Sequence, residues 1–203
     1  MIESRKLNAI ETSANTLGKA TEIRKIGATA VGVYLRADRC SVAMIKELHE
    51  DGLKVWSTWE KGYPDHYAYF SQAQGTIDGA AAAKYARQVL NQPAGTLIYA
   101  TVDYDADGNN PCGPTINGRI SNYMIAFKTE ISSAGYEAGV YGSGRTCRIL
   151  IAKGFAKSGW LTEFRGFAEY AEFAPRASIV QLYTIDNHWD ADYLQNPDGA
   201  GVW

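Results

Sequence analysis

Short apolar runs of strand length alternate along this chain with longer stretches of helical character, and few folds accommodate that order. A parallel strand pair needs a crossover connection, and a helix is the usual crossover, so β-α alternation implies a largely parallel sheet covered by helices. The apolar runs lie at residues 7–11, 29–35, 54–59, 96–102, 138–141, 160–162, 178–184 and 189–194. Helices are expected after Thr12-Ser13-Ala14-Asn15 to about 25, over 42–51 behind the N-cap candidate Ser41, over the alanine-rich 77–90, over 115–134 and over 145–152, with an uncertain piece near 167–173. Gly27, Gly52 and Gly135 follow three of these helices, where a left-handed residue ends a helix at least cost. About eight strands with only about five convincing helices predict an α/β fold, a degenerate (β/α) barrel of the TIM type whose outer helices are incomplete in the C-terminal third. The 203 residues suffice for one core, so a single domain over 1–203 is expected.

In parallel α/β architectures the chemistry sits at the carboxyl ends of the strands. Those ends are acidic here: Glu11 closes the first run, Glu60 follows the third, Asp103 and Asp105 follow the fourth, and the last carries Asp190 and Asp192. Tyr141 ends the fifth run, while Gln181 and Tyr183 lie in the seventh. Asp103 and Asp105, two apart on an extended strand, are expected on one face with α-carbons ~6.5–7 Å apart. Carboxylates that close cannot both ionise cheaply, so one keeps its proton to higher pH and is available as a general acid. Glycosidic cleavage needs such an acid beside a second carboxylate; retaining, inverting and substrate-assisted routes all stay open at this level. Two irregular stretches, 60–76 and 105–114, follow strands three and four and are expected to rim the same cleft, with Trp59, Tyr63, Tyr67 and Tyr104 available to stack on sugar faces.

Other chemistries find little support. A net charge of −2 gives no general attraction to nucleic acid or anionic lipid, and no run approaches the ~20 apolar residues of a membrane helix. Cys40, Cys112 and Cys147 contain no C-x-x-C, and His49, His66 and His188 are scattered, so no metal site or cofactor is expected. Whether Cys112 and Cys147 pair is left open. Gly142-Ser143-Gly144 lacks the five-residue nucleophile elbow, and the surrounding glycines do not form the dinucleotide fingerprint. The polar N-terminus lacks a secretory hydrophobic region, which implies work in the cytoplasm, export without a cleavable signal, or a trimmed start.

The order of Ile10-Glu11-Thr12-Ser13, Val33-Tyr34-Leu35-Arg36, Gly52-Leu53-Lys54-Val55-Trp56, the stretch 75–83, Pro93-Ala94-Gly95-Thr96-Leu97-Ile98-Tyr99-Ala100, Val102-Asp103-Tyr104-Asp105, Gly135-Tyr136-Glu137-Ala138-Gly139-Val140-Tyr141-Gly142-Ser143-Gly144 and Gln181-Leu182-Tyr183 resembles the glycoside-hydrolase-like family known as domain of unknown function 1906. That family is similar in turn to the family-25 glycoside hydrolases, muramidase lysozymes with an incomplete barrel. In the latter a first-strand Asp, a D-x-E pair on strand four and an Asp on the last strand form an acidic cluster. The matching positions are Glu11, Asp103 with Asp105, and Asp190; Glu11 stands where the pattern has Asp, and Asp105 where it has the longer acidic Glu. The resemblance implies a hydrolase of peptidoglycan or a related N-acetylated glycan, working as a monomer at the cell wall, exported without a visible signal or as a phage or secretion-system product. Asp105 would be the acid, Asp103 its modulator or the polariser of a substrate amide, and Glu11 and Asp190 flanking stabilisers. Glu60, Tyr141, Gln181, Tyr104, Trp59, Tyr34, Tyr183 and Asp192 would line the substrate cleft. A catalytically silent glycan-binding or scaffold domain is the alternative.

Overall fold

The computed structural model describes residues 6–107, 115–186 and 189–203. Eight strands, β1 (Ala9–Thr12), β2 (Ala30–Tyr34), β3 (Lys54–Trp59), β4 (Leu97–Thr101), β5 (Glu137–Gly142), β6 (Ser158–Leu161), β7 (Ile179–Thr184) and β8 (Trp189–Leu194), close into a barrel in chain order. The first seven run parallel; β8 is antiparallel to both β7 and β1. The connection from Thr184 to Trp189 is too short for a crossover helix, so the chain can only turn back on itself.

Helices α1 (Ala20–Lys25), α2 (Val42–Glu50), α3 (Gln72–Lys84), α4 (Ser121–Ser133) and α5 (Gly144–Ala152) cover the barrel, and the short α6 (Tyr170–Phe173) and α7 (Pro197–Ala200) serve its last third. The degenerate α/β barrel is thus present, with several bounds shifted by local hydrogen bonds. The first helix starts only at Ala20, because Thr12 Oγ1 bonds to the backbone of Ala14 and Asn15 Oδ1 accepts from Leu17 N at 3.0 Å, turning the chain before a helix can form. The third starts five residues early, where Ser71 Oγ accepts from Gln74 N at 3.1 Å, and it continues into a π-helical turn, Tyr85–Val89. Another π-helical turn, Ile116–Ile120, leads into α4.

Two glycines bring α3 onto α4. A β-carbon at Gly75 would lie 2.2 Å from the Tyr123 carbonyl oxygen, and one at Gly79 2.7 Å from that of Phe127. In this seam the buried Asp78 accepts from Tyr69 (2.5 Å), Tyr123 (2.9 Å) and Gln74 (2.9 Å).

The barrel interior at its N-terminal end is aromatic, where most such barrels use branched aliphatic residues. Trp56, Tyr99 and Trp160 pack edge to face with centroids 5.7–6.1 Å apart, joined by Leu97, Ile179 and Leu194. Gly32 and Gly139 make room: a β-carbon at either would sit 2.5 Å from the Trp56 or Tyr99 ring. The C-terminal segment plugs this end. Tyr99 Oη donates to the Ala200 carbonyl at 3.1 Å, and Trp203 and Val55 exchange two backbone hydrogen bonds.

Candidate active site

At the opposite end the barrel is not filled. A cavity of ≈ 200 Å³ opens there, lined by Glu11, Glu60, Asp103, Glu163 and Asp190, by Tyr34, Tyr141, Trp160 and Phe164, and by Thr101 and Gln181. Inward positions of the strands supply it. Glu11 on β1 sits directly opposite Asp190 on β8. Because β8 runs backwards, its first residues reach the open end, which puts Asp190 at the mouth and Asp192 one layer deeper, opposite Ala9 and Gln181.

Hydrogen bonds fix the floor and leave some acceptors unmet. Trp160 Nε1 donates to Asp192 Oδ1 at 2.9 Å, and Tyr34 Oη to Glu11 Oε1 at 3.4 Å. Glu11 Oε2 and Asp192 Oδ2 are buried without a hydrogen-bond partner. Tyr141 Oη donates to Gln181 Oε1 at 2.8 Å, and the same oxygen accepts from Glu163 N at 3.1 Å.

Burial among charges of one sign raises Glu11, Asp192, Glu60, Asp103 and Glu163 above their ordinary values. Glu11 and Asp192 are pushed well above the ordinary carboxylate range, first by burial. Asp192 and Asp190 then raise Glu11, while Asp190 raises Asp192 against the opposing Trp160 hydrogen bond. Burial and then the Asp103 charge lift Glu60 to about 7, with Thr101, Arg36 and Arg39 pulling the other way. Asp103 is raised by burial and by Asp65, and Glu163 by burial and by Asp190.

Of the residues expected at the cleft, Glu11, Glu60, Asp103, Asp190, Tyr34, Tyr141 and Gln181 meet in this cavity, with Asp192 beneath it. The expected Asp103–Asp105 strand pair does not form. β4 ends at Thr101, so both residues lie in the following loop, where Asp103 N is held by the Pro64 carbonyl at 2.9 Å and Asp105 Oδ1 accepts from Ala168 N at 2.9 Å, away from the cavity lining. Tyr104 packs on Phe70 and donates to Thr115 Oγ1 at 3.3 Å. Trp59 is an outward residue of β3, buried between barrel and helices. Tyr183 is 53% exposed because a bulge between Gln181 and Tyr183 turns it off the inner face.

The loop after β3 does rim the site, as the Asp103–Pro64 bond shows; Tyr63 on it is exposed, and Tyr67 lies under the Arg119 guanidinium. Of the stretch 105–114, residues 108–114, with Cys112, lie outside the described residues, as does His188; Cys40 and Cys147 are buried. Sequence reasoning missed Glu163, Phe164, Trp160 and Thr101. Glu163 was findable, since it directly follows the sixth apolar run, by the same strand-end rule that found Glu60. Among the described residues no group of three His, Cys, Asp or Glu side chains could hold a metal ion, and no helix is long and apolar enough to cross a membrane.

Comparison with known proteins agrees with this architecture. Residues 21–198 match the Rv2525c-like, glycoside hydrolase-like domain family. The chain belongs to that family. It is 32% identical over 208 residues to the uncharacterized protein YbfG of Bacillus subtilis (strain 168), covering 92% of this chain and 26% of YbfG. To the uncharacterized protein FadG of the same strain it is 30% identical over 169 residues, covering 76% of this chain and 28% of FadG. The chain therefore spans about a quarter of the length of these relatives. The crystal structure of the Mycobacterium tuberculosis Tat-secreted protein Rv2525c in complex with L-tartrate superimposes with a TM-score of 0.77 at 18% identity, covering 98% of this chain and 100% of that one. At that identity the likeness is one of fold.

Proposed function

We propose that this domain is a glycoside hydrolase of cell-wall amino-sugar glycans, with peptidoglycan the first candidate, working by carboxylate acid–base catalysis in the barrel-mouth cavity. The observation that carries the reading is Glu60: half-buried in the cavity lining with Asp103, its carboxyl is lifted to about 7, so that a proton is available there near neutral pH. Glu60 donates that proton to the departing glycosidic oxygen, and Asp103 stabilises the positive charge that develops on the sugar or activates the incoming group. Glu11 and Asp190 hold the ring from the opposite wall, and Tyr141, fixed by Gln181, orients it. Asp105, the acid implied by the lysozyme resemblance, instead anchors the Ala168 backbone, so its role is to shape the loop. The domain works outside the cytoplasm, a reading supported by the Tat secretion of Rv2525c.

That displacement of Asp105 also favours a second reading, a glycan-binding domain without turnover. Reducing-end release from purified peptidoglycan, with chitin alongside, separates the two. The hydrolase gives a bell-shaped pH profile whose alkaline limb reports Glu60 and disappears in Glu60→Gln; saturable binding with no product at any pH between 4 and 8 leaves only the binding domain.

A further inference from the structure

Beside the barrel mouth, between α3 and the loops that follow β2 and β3, lies a second cavity of ≈ 380 Å³. It is larger than the mouth and falls within the range of about 300–1,000 Å³ usual for small-molecule sites. Its base is apolar, formed by Leu35, the 5%-exposed Trp59, Ala81, Tyr85 and the 40%-exposed Val89. The π-helical turn that continues α3 supplies Tyr85 and Val89, and such turns gather at functional sites. Tyr85 Oη donates to the Cys40 carbonyl at 2.6 Å, which ties this helical wall to the loop after β2.

The rim of this trough is cationic, the reverse of the mouth. Arg36, Lys61 and Lys84 line it against the single carboxyl group of Asp38. Asp38 is already engaged by Arg36 at 2.8 Å and by Arg39 at 3.3 Å, whereas neither lysine has an ion-pair partner among the described residues. An apolar base under two uncommitted ammonium groups is complementary to a carboxylate on an apolar body. It gives a further sugar ring little to bond to, since its one carboxyl group is taken. The two cavities also adjoin. Lys61 follows Glu60 in the chain, and Arg36 Nη1 donates to the Glu60 carbonyl at 3.5 Å, so a group that leaves the mouth past Glu60 enters the trough.

We propose that the trough receives a short apolar peptide branch carried by the glycan and ending in a free carboxylate, with its side chains on Trp59, Tyr85 and Val89 and its carboxylate met by Lys61 and Lys84. The domain then prefers glycan that still bears its peptides. Uncharged sugar would occupy the acidic mouth while the anionic end of the branch is held away from those carboxyl groups, a division of charge that the opposite signs of the two cavities match. Attachment of the peptide to a glycan rests on the reading proposed above; the carboxylate and the apolar body do not.

NMR titration of the isotope-labelled chain with N-acetyl-trialanine, its C-terminal amide and octanoate tests it. The free acid should shift the backbone amides of residues 35–38, 61 and 81–89 and bind roughly tenfold more tightly than the amide. Replacing both lysines, Lys61→Met with Lys84→Met, should remove most of that difference, circular dichroism confirming the fold. Equal affinity for acid and amide, shifts confined to the barrel mouth, or no binding of the acid overturns the inference. Tighter binding of octanoate than of the peptide overturns it as well, and makes the trough a fatty-acid site. The hydrolase reading is scored apart, on peptidoglycan with its peptides and on the same glycan stripped of them by an amidase. Cleavage of either glycan with no peptide bound in the trough leaves the hydrolase without this inference. Peptide binding with no cleavage of either upholds the inference and removes the hydrolase.

Discussion

Trp56, Tyr99 and Trp160 fill the barrel from its N-terminal end, while higher on the same walls Glu11, Thr101, Tyr141 and Asp190 surround open space. Both groups come from inward positions of one set of strands, so the difference is one of side-chain chemistry. In the lower layers Tyr99 hydrogen-bonds to Ser158 and Ala200, and glycines at Gly32 and Gly139 let large rings fit. The upper layer gathers carboxyl groups close to one another around the cavity. The lower half packs the interior, and the upper half leaves an acidic cavity where filling is withheld. Trp160 joins the two, since its ring packs in the lower cluster, its indole N–H holds Asp192 and its edge reaches the cavity.

The sharpest way to break this division is to remove Trp160. Trp160→Ala takes away the ring against Trp56, Tyr99 and Tyr141 and the donor to Asp192, so urea unfolding should show a loss of about 3–5 kcal/mol. A loss below about 1 kcal/mol would mean that the lower layer is not the stabilising half.

Glu60→Gln attacks the upper layer alone. On the proposed hydrolase reading, this variant should lower glycan hydrolysis by about 100-fold or more while leaving the fold intact. Retention of full rate would move the acid to Glu11 or Glu163.

The same residue links the layer to pH. Glu60 is raised in the folded state from 4.5 to about 7, so its contribution is fully present below pH 4.5 and is lost as pH rises through about 7. Glu11 and Asp192, also raised, act in the same direction. Stability should therefore fall between pH 5 and 8, and Glu60→Gln should remove about 2–3 kcal/mol of that fall. A melting temperature that climbs across this interval would contradict the crowded-carboxylate description.

Gly139→Ala sharpens the packing side. Its β-carbon would sit 2.5 Å from the Tyr99 ring, so a cost of about 1–3 kcal/mol is expected in thermal unfolding. The smallest effect belongs to Asp105→Asn. An asparagine oxygen still accepts from Ala168 N, so activity should fall less than about tenfold. A loss as large as that of Glu60→Gln would return Asp105 to the catalytic centre.

Much of the fold was legible because apolar periodicity is local. Ser41 caps α2 as its position suggested, with Oγ accepting from Met44 N at 3.2 Å, and all eight apolar runs became barrel strands. The acidic strand ends likewise foretold that a carboxyl cluster would gather at one end. Tyr183 and Asp105 were not legible. A single extra residue in β7 reverses an inward position, and where a strand stops depends on pairing with a neighbour.

The sequence by itself determined the alternating β-α order, the single acidic end and the glycines that permit an aromatic interior, since each follows from residue types at short spacing. Only the tertiary structure decided which carboxyl groups share the cavity. Glu11 meets Asp190 across nearly the whole chain because β8 turns back and closes the barrel antiparallel to β1. Burial at the barrel mouth and the nearby Asp103 charge, absent from any local window, raise Glu60 to about 7.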